Sequence, residues 1–218
     1  MKDADHVLGI DLSGPSNVKD TVCLAFQVIG GRLQLVQPIQ GAKDEELYQL
    51  TVDLLSQGPV VVGLDAPLSY NPGGGDRPGD TSLRERIIAA GLHPGSVMTP
   101  TMTRMAYLTL RGMAVARLLR SIPDPKPEIV EVHPGAVMGL RGAPIADVRT
   151  YKVDPGARQR LLGWLNSQGL ECGNILKDPV DHHIAACAAT LAAWKWHQRD
   201  TVWVEPASPP HHPFDFAC

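Results

Sequence analysis

Two short apolar runs in the sequence each end in an aspartate that is followed by a turn containing proline. Residues 7–10 lead into Asp11, and residues 60–64 lead into Asp65. An apolar run of this length, bounded by turn residues, is typical of a buried strand. The sequence therefore predicts two strands that each place a carboxylate at the end of a sheet, and this is its strongest constraint on the fold.

The rest of the chain alternates between strand-like and helix-like patterns. Residues 21–29 and 32–37 flank a Gly-Gly turn and predict a β-hairpin. Helices are predicted at residues 44–56, 104–119, 155–168 and 178–198, and further strands at residues 129–132 and 201–204. Three antiparallel strands followed by alternating helices and strands indicate an α/β fold, in which a mixed sheet carries helices on both faces.

The length of 218 residues suits a single α/β domain covering residues 1–218. Residues 70–104 are dense in Gly and Pro, with a short helical pattern at 82–90, and predict an insertion or lid over a site. Residues 205–218 are rich in Pro and His and predict an extended C-terminal tail. The patterns do not decide whether the chain forms a homodimer.

The charge distribution limits where a polyanion could bind. The formal net charge is −3, whereas surfaces that bind nucleic acid usually carry excess Lys and Arg. Residues 76–120, however, hold seven arginines against three acidic residues. Guanidinium groups match phosphate oxygens, so Arg77 and Arg104 are candidate substrate ligands, with Ser69 as an additional hydroxyl contact.

The cysteines and the apolar runs indicate the class of protein. The four cysteines are scattered without a CxxC pair, which argues against a zinc cage and a disulfide framework. The N-terminus has no apolar signal region, and no apolar run approaches membrane-spanning length. We expect a cytoplasmic protein with reduced thiols and no membrane partner.

Several acidic residues are predicted to lie at the same edge of the sheet. In sheets of this type, sites form beyond the carboxyl ends of the strands. Asp11 and Asp65 end two strands, Glu131 and His133 end a third, and Asp181 lies in the first turn of the last helix. Mutual repulsion among such carboxylates costs stability unless a cation or a proton offsets it.

A divalent metal would explain this arrangement. Mg²⁺ or Mn²⁺ prefers carboxylate oxygen and water, and two such ions activate water for phosphodiester hydrolysis. In this hypothesis Asp11 bridges the ions, while Asp65 and Asp181 each bind one. Glu131 or His133 completes the coordination or assists proton transfer. Asp178 is either the N-cap of the last helix or a further ligand.

Simpler interpretations exist for the same residues. Asp11 could cap its turn, Asp65 could be a structural turn aspartate, and Asp181 could stabilise the helix dipole. The pairs His182-His183 and His211-His212 are interpreted as mostly structural or solvated, because adjacent residues on a helix point in different directions.

Four blocks of the sequence, in order, resemble one known family. The blocks are GIDLSGP, GLDAPLS, EVHPGA and DHHIAACAATLAA, at residues 9–15, 63–69, 131–136 and 181–193, and the segment from Asp76 to Gly112 also fits. They are similar to domain-of-unknown-function family 429, which is described as predicted nucleases with a ribonuclease H fold. The resemblance implies a ribonuclease H-like fold and two acids three residues apart on the last helix, a spacing that Asp178 and Asp181 meet.

The expected function is metal-dependent hydrolysis of a phosphodiester, with nucleic acid or another phosphodiester as substrate. One alternative is a non-catalytic module on the same fold that serves in binding or assembly. A second is a phosphotransferase with an actin-like fold, which needs further Gly-rich phosphate loops and usually a second copy of the fold. A chain of 218 residues is too short for two copies.

Overall fold

A computed structural model describes residues 4–173 and 175–218, and in this part of the chain eight strands form one mixed sheet. The sheet order is β6-β3-β2-β1-β4-β5-β8-β7. The strands are β1 His6–Asp11, β2 Val22–Ile29, β3 Arg32–Gln40, β4 Val60–Asp65, β5 Glu128–Val132, β6 Leu170–Glu171, β7 Val204–Glu205 and β8 Phe216–Ala217. The predicted mixed α/β class is confirmed.

The central pairing brings the two acid-terminated strands together. β1 pairs antiparallel with β2, which pairs antiparallel with β3, so the predicted hairpin is present. β4 lies on the other side of β1 and is parallel to it, in a register that sets Asp11 opposite Asp65. β5 continues the parallel arrangement beside β4. The two aspartates therefore lie side by side at the carboxyl ends of two adjacent parallel strands.

Helices cover both faces of this sheet. They are α1 Asp44–Leu55, α2 Pro78–Ala89, α3 Thr103–Arg120, α4 Pro134–Leu140, α5 Ile145–Thr150, α6 Pro155–Ser167 and α7 Asp181–His197. The predictions for α1, α3 and α6 are correct to within one residue at each end. No helix among the residues described combines the length and apolar character needed to cross a bilayer.

The predicted start of the last helix at Asp178 is wrong. The helix begins at Asp181, and Val180 occupies the N-cap position. His183 Nδ1 accepts a hydrogen bond from the backbone N–H of Val180 at 3.2 Å. This histidine satisfies a backbone donor at the start of the helix, where the sequence pattern had suggested that Asp178 would do so.

The alternation of side chains along β1 and β4 produces two apolar layers. Val7 and Val61 belong to the layer that packs against α2, α4, α6 and α7. Leu8, Ile10 and Leu64 belong to the opposite layer, which packs against α1 and α3. Because successive residues of a strand face opposite sides, odd-numbered positions of both strands face α7.

Two glycines allow α7 to lie directly on the sheet. A Cβ atom on Gly9 would come within 2.1 Å of the Ala186 carbonyl oxygen and of Thr190 Oγ1. A Cβ atom on Gly63 would come within 2.4 Å of the Ala189 carbonyl oxygen. Both glycines thus provide the space for the close approach of a helix rich in small residues.

The two segments predicted to lie outside the core both contribute to it. In residues 70–104, α2 buries Leu83 and Ile87 completely, so this part is more than a lid. Residues 205–218 differ from the predicted extended tail, because β8 pairs parallel with β5 and antiparallel with β7. Burial of Phe216 and Ala217 explains why this segment joins the sheet.

Substitution of Gly9 tests the helix–sheet packing. We expect Gly9→Ala to lower the free energy of unfolding by roughly 2–3 kcal/mol, because the added methyl group overpacks the contact with α7. The control is Gly163→Ala on the exposed side of α6, where nothing lies near the added Cβ. That change should stabilise by up to about 1 kcal/mol. Urea unfolding measures both, and a neutral effect of Gly9→Ala would contradict the packing argument.

Candidate functional site

The centre of the candidate site is a pair of carboxyl groups, of which Asp11 is buried and Asp65 is half-buried. Asp11 and Asp65 end β1 and β4 in register, and both project toward the face that α7 covers. Only 9% of Asp11 is exposed, and each of the two carboxyl groups influences the pKa of the other. Burial raises the pKa of both groups, and the negative charge of Asp11 raises the pKa of Asp65 further. Two carboxyl groups so placed retain a proton unless a cation offsets their charge.

His182 forms the closest contact with this pair. Its Nδ1 lies 2.6 Å from Asp11 Oδ2, and this hydrogen bond raises the pKa of the imidazole. The contact exists because α7 runs antiparallel to β1, with its N-terminus beside the end of the strand. The positive end of the helix dipole also favours negative charge there. His182 therefore holds Asp11 in place and partly neutralises it.

Sequence reasoning set His182 aside, although a helical repeat could have identified it. Residues 182, 186 and 190 are spaced by four, and Ala186 and Thr190 contact Gly9. The same face of α7 must then carry His182 over the end of β1. Finding this needs the knowledge that α7 lies on β1, which the sequence pattern alone does not provide.

Tyr151 and Lys152 line the same cavity as the carboxyl pair, whereas Asp181 does not line it. Asp181 is the first residue of α7 and is half-buried. Burial raises the pKa of the Tyr151 hydroxyl, and the negative charges of Asp11, Asp65 and Asp181 raise it further. The positive charge of Lys152 favours the ionised forms of Asp11 and Asp65. It therefore opposes the effect of burial on the pKa values of both groups. Tyr151 and Lys152, which sequence reasoning missed, follow directly after α5 without a motif that would mark them.

The oxygen ligands at this site meet only part of what a divalent cation requires. Within residues 4–173 and 175–218, no group of three or more His, Cys, Asp or Glu side chains is arranged to hold a metal ion. Asp178 is exposed in the segment before α7 and does not line the cavity described below. Asp11 and Asp65 do offer two adjacent carboxylates whose repulsion a cation would relieve, which is the chemistry that Mg²⁺ and Mn²⁺ prefer.

Glu131 projects from the opposite face of the sheet, but at the strand ends it lines the same cavity as the pair, as Arg77 and His133 also do. The register sets it beside Leu64, which belongs to the layer opposite α7. Glu131 Oε1 lies 2.5 Å from Arg77 Nη2, and its Oε2 accepts hydrogen bonds from Arg77 Nη1 and the Leu68 N–H, each at 2.8 Å. Both oxygens of Glu131 are thus engaged by the protein itself.

Arg77 is buried with its acidic partners. Only 6% of the residue is exposed, and its Nη2 lies 2.7 Å from Asp80 Oδ1. The Phe216 ring packs 5.4 Å from the guanidinium carbon. The nearby negative charges of Glu131 and Asp80 raise the pKa of Arg77 despite its burial. These contacts join α2, β5 and β8 in one buried ionic network.

Ser69 is connected to this network on the side away from the carboxyl pair. Its Oγ accepts a hydrogen bond from Arg77 Nη1 at 3.0 Å and lies 2.8 Å from His212 Nδ1. Ser69 and His212 line a separate cavity of about 160 Å³. Arg104, in the first turn of α3, is exposed and lines neither cavity. The structure therefore does not bring these two predicted substrate ligands together with Asp11 and Asp65.

His133 holds an outer loop of the site. Its Nδ1 accepts a hydrogen bond from the Ala136 N–H at 3.0 Å and caps α4, while its Nε2 lies 2.8 Å from the Ser96 carbonyl oxygen. The second contact requires a proton on Nε2. Burial lowers the pKa of His133, in agreement with this neutral form. Arg84 Nη2 holds the same loop by donating to the Val97 carbonyl at 2.9 Å.

A cavity of about 860 Å³ opens above Asp11 and Asp65. Its lining includes the loop at residues 92–98 and, from α3, Met105 and Leu108. Arg149, Tyr151 and Lys152 add polar groups. This volume and the mixture of apolar walls with few polar groups are typical of sites for small ligands.

The role of Arg77 can be tested against that of Arg104. We expect Arg77→Met to lower the free energy of unfolding by roughly 3–5 kcal/mol, because it leaves Asp80 and Glu131 buried without their cation. Arg104→Met, at an exposed position, should have little effect. Urea unfolding measures both variants, and equal stability of the two would contradict a structural role for Arg77.

Comparison with known proteins gives one result. A model of the family described as "Protein of unknown function (DUF429)" matches residues 9–211. Searches of curated proteins and of solved structures found no match. The matched segment spans most of the chain and includes Asp11, Asp65, Lys152 and His182, so the chain belongs to the DUF429 family.

Proposed function

We propose that this protein is a metal-dependent phosphodiesterase, of nuclease type, with its reaction centre at Asp11 and Asp65. One observation carries the proposal: the carboxyl groups of Asp11 and Asp65 lie in register at the ends of adjacent parallel strands and line the large cavity. Carboxyl pairs with raised pKa values in a cleft are characteristic of functional sites.

The sheet supports a ribonuclease H-like assignment. Strands β3, β2 and β1 are consecutive and antiparallel, and β4 and β5 then add parallel to β1. The sequence pattern predicts this arrangement, with an acid at the end of the first strand and another at the end of the fourth, and the resemblance identified from sequence implies a ribonuclease H-like fold. The additional strands β6, β7 and β8 extend the two edges.

In the proposed site, Asp11 and Asp65 would hold Mg²⁺ or Mn²⁺, and Asp181 is the candidate third carboxylate. When bound, such an ion lowers the pKa of a water ligand and so supplies a hydroxide nucleophile near neutral pH. The overall reaction adds water across one P–O bond. The hydroxide oxygen joins phosphorus, and the leaving oxygen takes a proton and departs as an alcohol.

Other residues of the site have roles that do not depend on the ion. His182 fixes the orientation of Asp11 through the hydrogen bond to Oδ2. Lys152 lines the cavity and can neutralise a non-bridging phosphate oxygen. The buried network of Arg77, Glu131 and Asp80 forms part of the cavity wall and ties the end of β5 to the start of α2. Connections of this kind help to hold reacting groups in position.

A non-catalytic binding module is the second candidate function. It is favoured by the lack of a three-residue metal cluster among the described residues. It is also favoured by His182, which already compensates part of the charge of Asp11. In that case the cavity would bind a ligand without transforming it.

Calorimetric titration with Mn²⁺ separates the two candidates. The wild type should bind Mn²⁺, and Asp11→Asn and Asp65→Asn should each weaken binding by more than about tenfold, because each removes one carboxylate charge. Asp53→Asn, on the exposed side of α1, is the matched control and should bind as the wild type does.

The same variants should be assayed for hydrolysis of bis(4-nitrophenyl) phosphate with Mn²⁺. We expect activity in the wild type and in Asp53→Asn, and a loss of about a hundredfold or more in Asp65→Asn. If the wild type neither binds Mn²⁺ nor hydrolyses the ester, the metal-dependent reaction is excluded and the binding module is favoured.

A further inference from the structure

We infer that the large cavity accepts one unpaired nucleoside together with its adjacent phosphate. The substrate would then be a small nucleotide phosphodiester or the end of a single strand, and not a continuous duplex. The inference rests on the proposed function for the reaction itself, but the binding preference stands on the shape and chemistry of the cavity.

The volume of the cavity limits the size of its ligand. A volume of about 860 Å³ lies within the range of sites for drug-sized molecules. The carboxyl pair lies in this recess, and Asp11 is almost entirely buried. A phosphate within an intact duplex would have to leave its helical position to approach the buried Asp11 carboxyl group, as in enzymes that extrude a nucleotide.

The walls suit a flat apolar group. Met98, Met105 and Leu108 are half-buried and line the cavity, so part of each side chain is presented to a ligand. Met98 belongs to the loop at residues 92–98, whereas Met105 and Leu108 belong to α3, so two separate elements present these side chains to a ligand. Methionine is flexible and polarisable, and it makes favourable contacts with aromatic rings. A nucleobase is such a ring, and these contacts would not depend on base identity.

The cations of the cavity suit one or two phosphates. Lys152 is exposed and lines the cavity close enough to influence the carboxyl pair electrostatically. Arg149 also lines it, and its Nη2 donates to the Gly91 carbonyl. Arg77 is committed to its buried acidic partners. Duplex binding normally neutralises many phosphates at once, and a chain of net charge −3 with two such cations at its cavity is poorly suited to that.

The test measures binding and hydrolysis separately. Binding of thymidine 5′-monophosphate and of inorganic phosphate is measured by calorimetry with Mg²⁺ present, and neither probe contains a phosphodiester. We expect the nucleotide to bind at least about tenfold more tightly than phosphate. An unlabelled single strand should compete with the nucleotide, and a blunt duplex of the same sequence should not.

Paired variants locate the preference. The double variant Met98→Ala/Met105→Ala should weaken binding of the nucleotide about tenfold and leave binding of phosphate unchanged. Met102→Ala/Tyr107→Ala, at exposed positions that do not line the cavity, is its control. Lys152→Gln should weaken binding of both probes, whereas Lys126→Gln, at an exposed position outside the cavity, should weaken neither.

The outcomes separate this inference from the proposed function. Equal binding of nucleotide and phosphate, or equal competition by duplex and single strand, would overturn the inference even if bis(4-nitrophenyl) phosphate is hydrolysed. A nucleotide preference that depends on Met98 and Met105 would support it even if no ester is hydrolysed. Competition by the single strand identifies a strand end as the source of the ligand, and binding of the mononucleotide alone identifies a small nucleotide.

Discussion

The close packing of α7 against β1 and β4 is the contact on which the candidate site depends. Gly9 and Gly63 leave no side chain between the strands and the helix, so the backbone of α7 lies almost against the sheet. This proximity sets the N-terminus of the helix at the ends of both strands. His182 thereby reaches Asp11, and the helix dipole favours the negative charge there.

The sheet separates two kinds of acidic residue by the face on which they lie. Glu131 and Asp80 share Arg77 and form a neutralised, buried connection between elements distant in sequence. Asp11 and Asp65 face the other way and have only partial compensation from His182 and Lys152. A neutralised ionic network thus lies beside a carboxyl pair whose negative charge is only partly compensated. A bound cation would neutralise the remaining charge.

The sequence was sufficient to predict the elements that local pattern determines. Short apolar runs and their turns identified β1 and β4, and with them the positions of Asp11 and Asp65. The sequence was not sufficient to predict contacts that depend on how strands and helices pair in the folded structure. The face on which Glu131 lies follows from its pairing beside Leu64, and the role of His182 follows from the contact of α7 with β1. The join of β8 to the sheet depends on burial that no local pattern reveals.

The position of β8 has a consequence for the order of folding. This strand is the last of the eight in sequence, yet it lies inside the sheet between β5 and β7. Phe216 supports Arg77, and the Asp215 carbonyl accepts a hydrogen bond from the Glu131 N–H at 2.9 Å. During synthesis from the N-terminus, the wall behind the site therefore stays incomplete until residue 217 has left the ribosome. Contacts of such long sequence separation form slowly, so a nascent chain carries both aspartates well before it has a finished pocket around them.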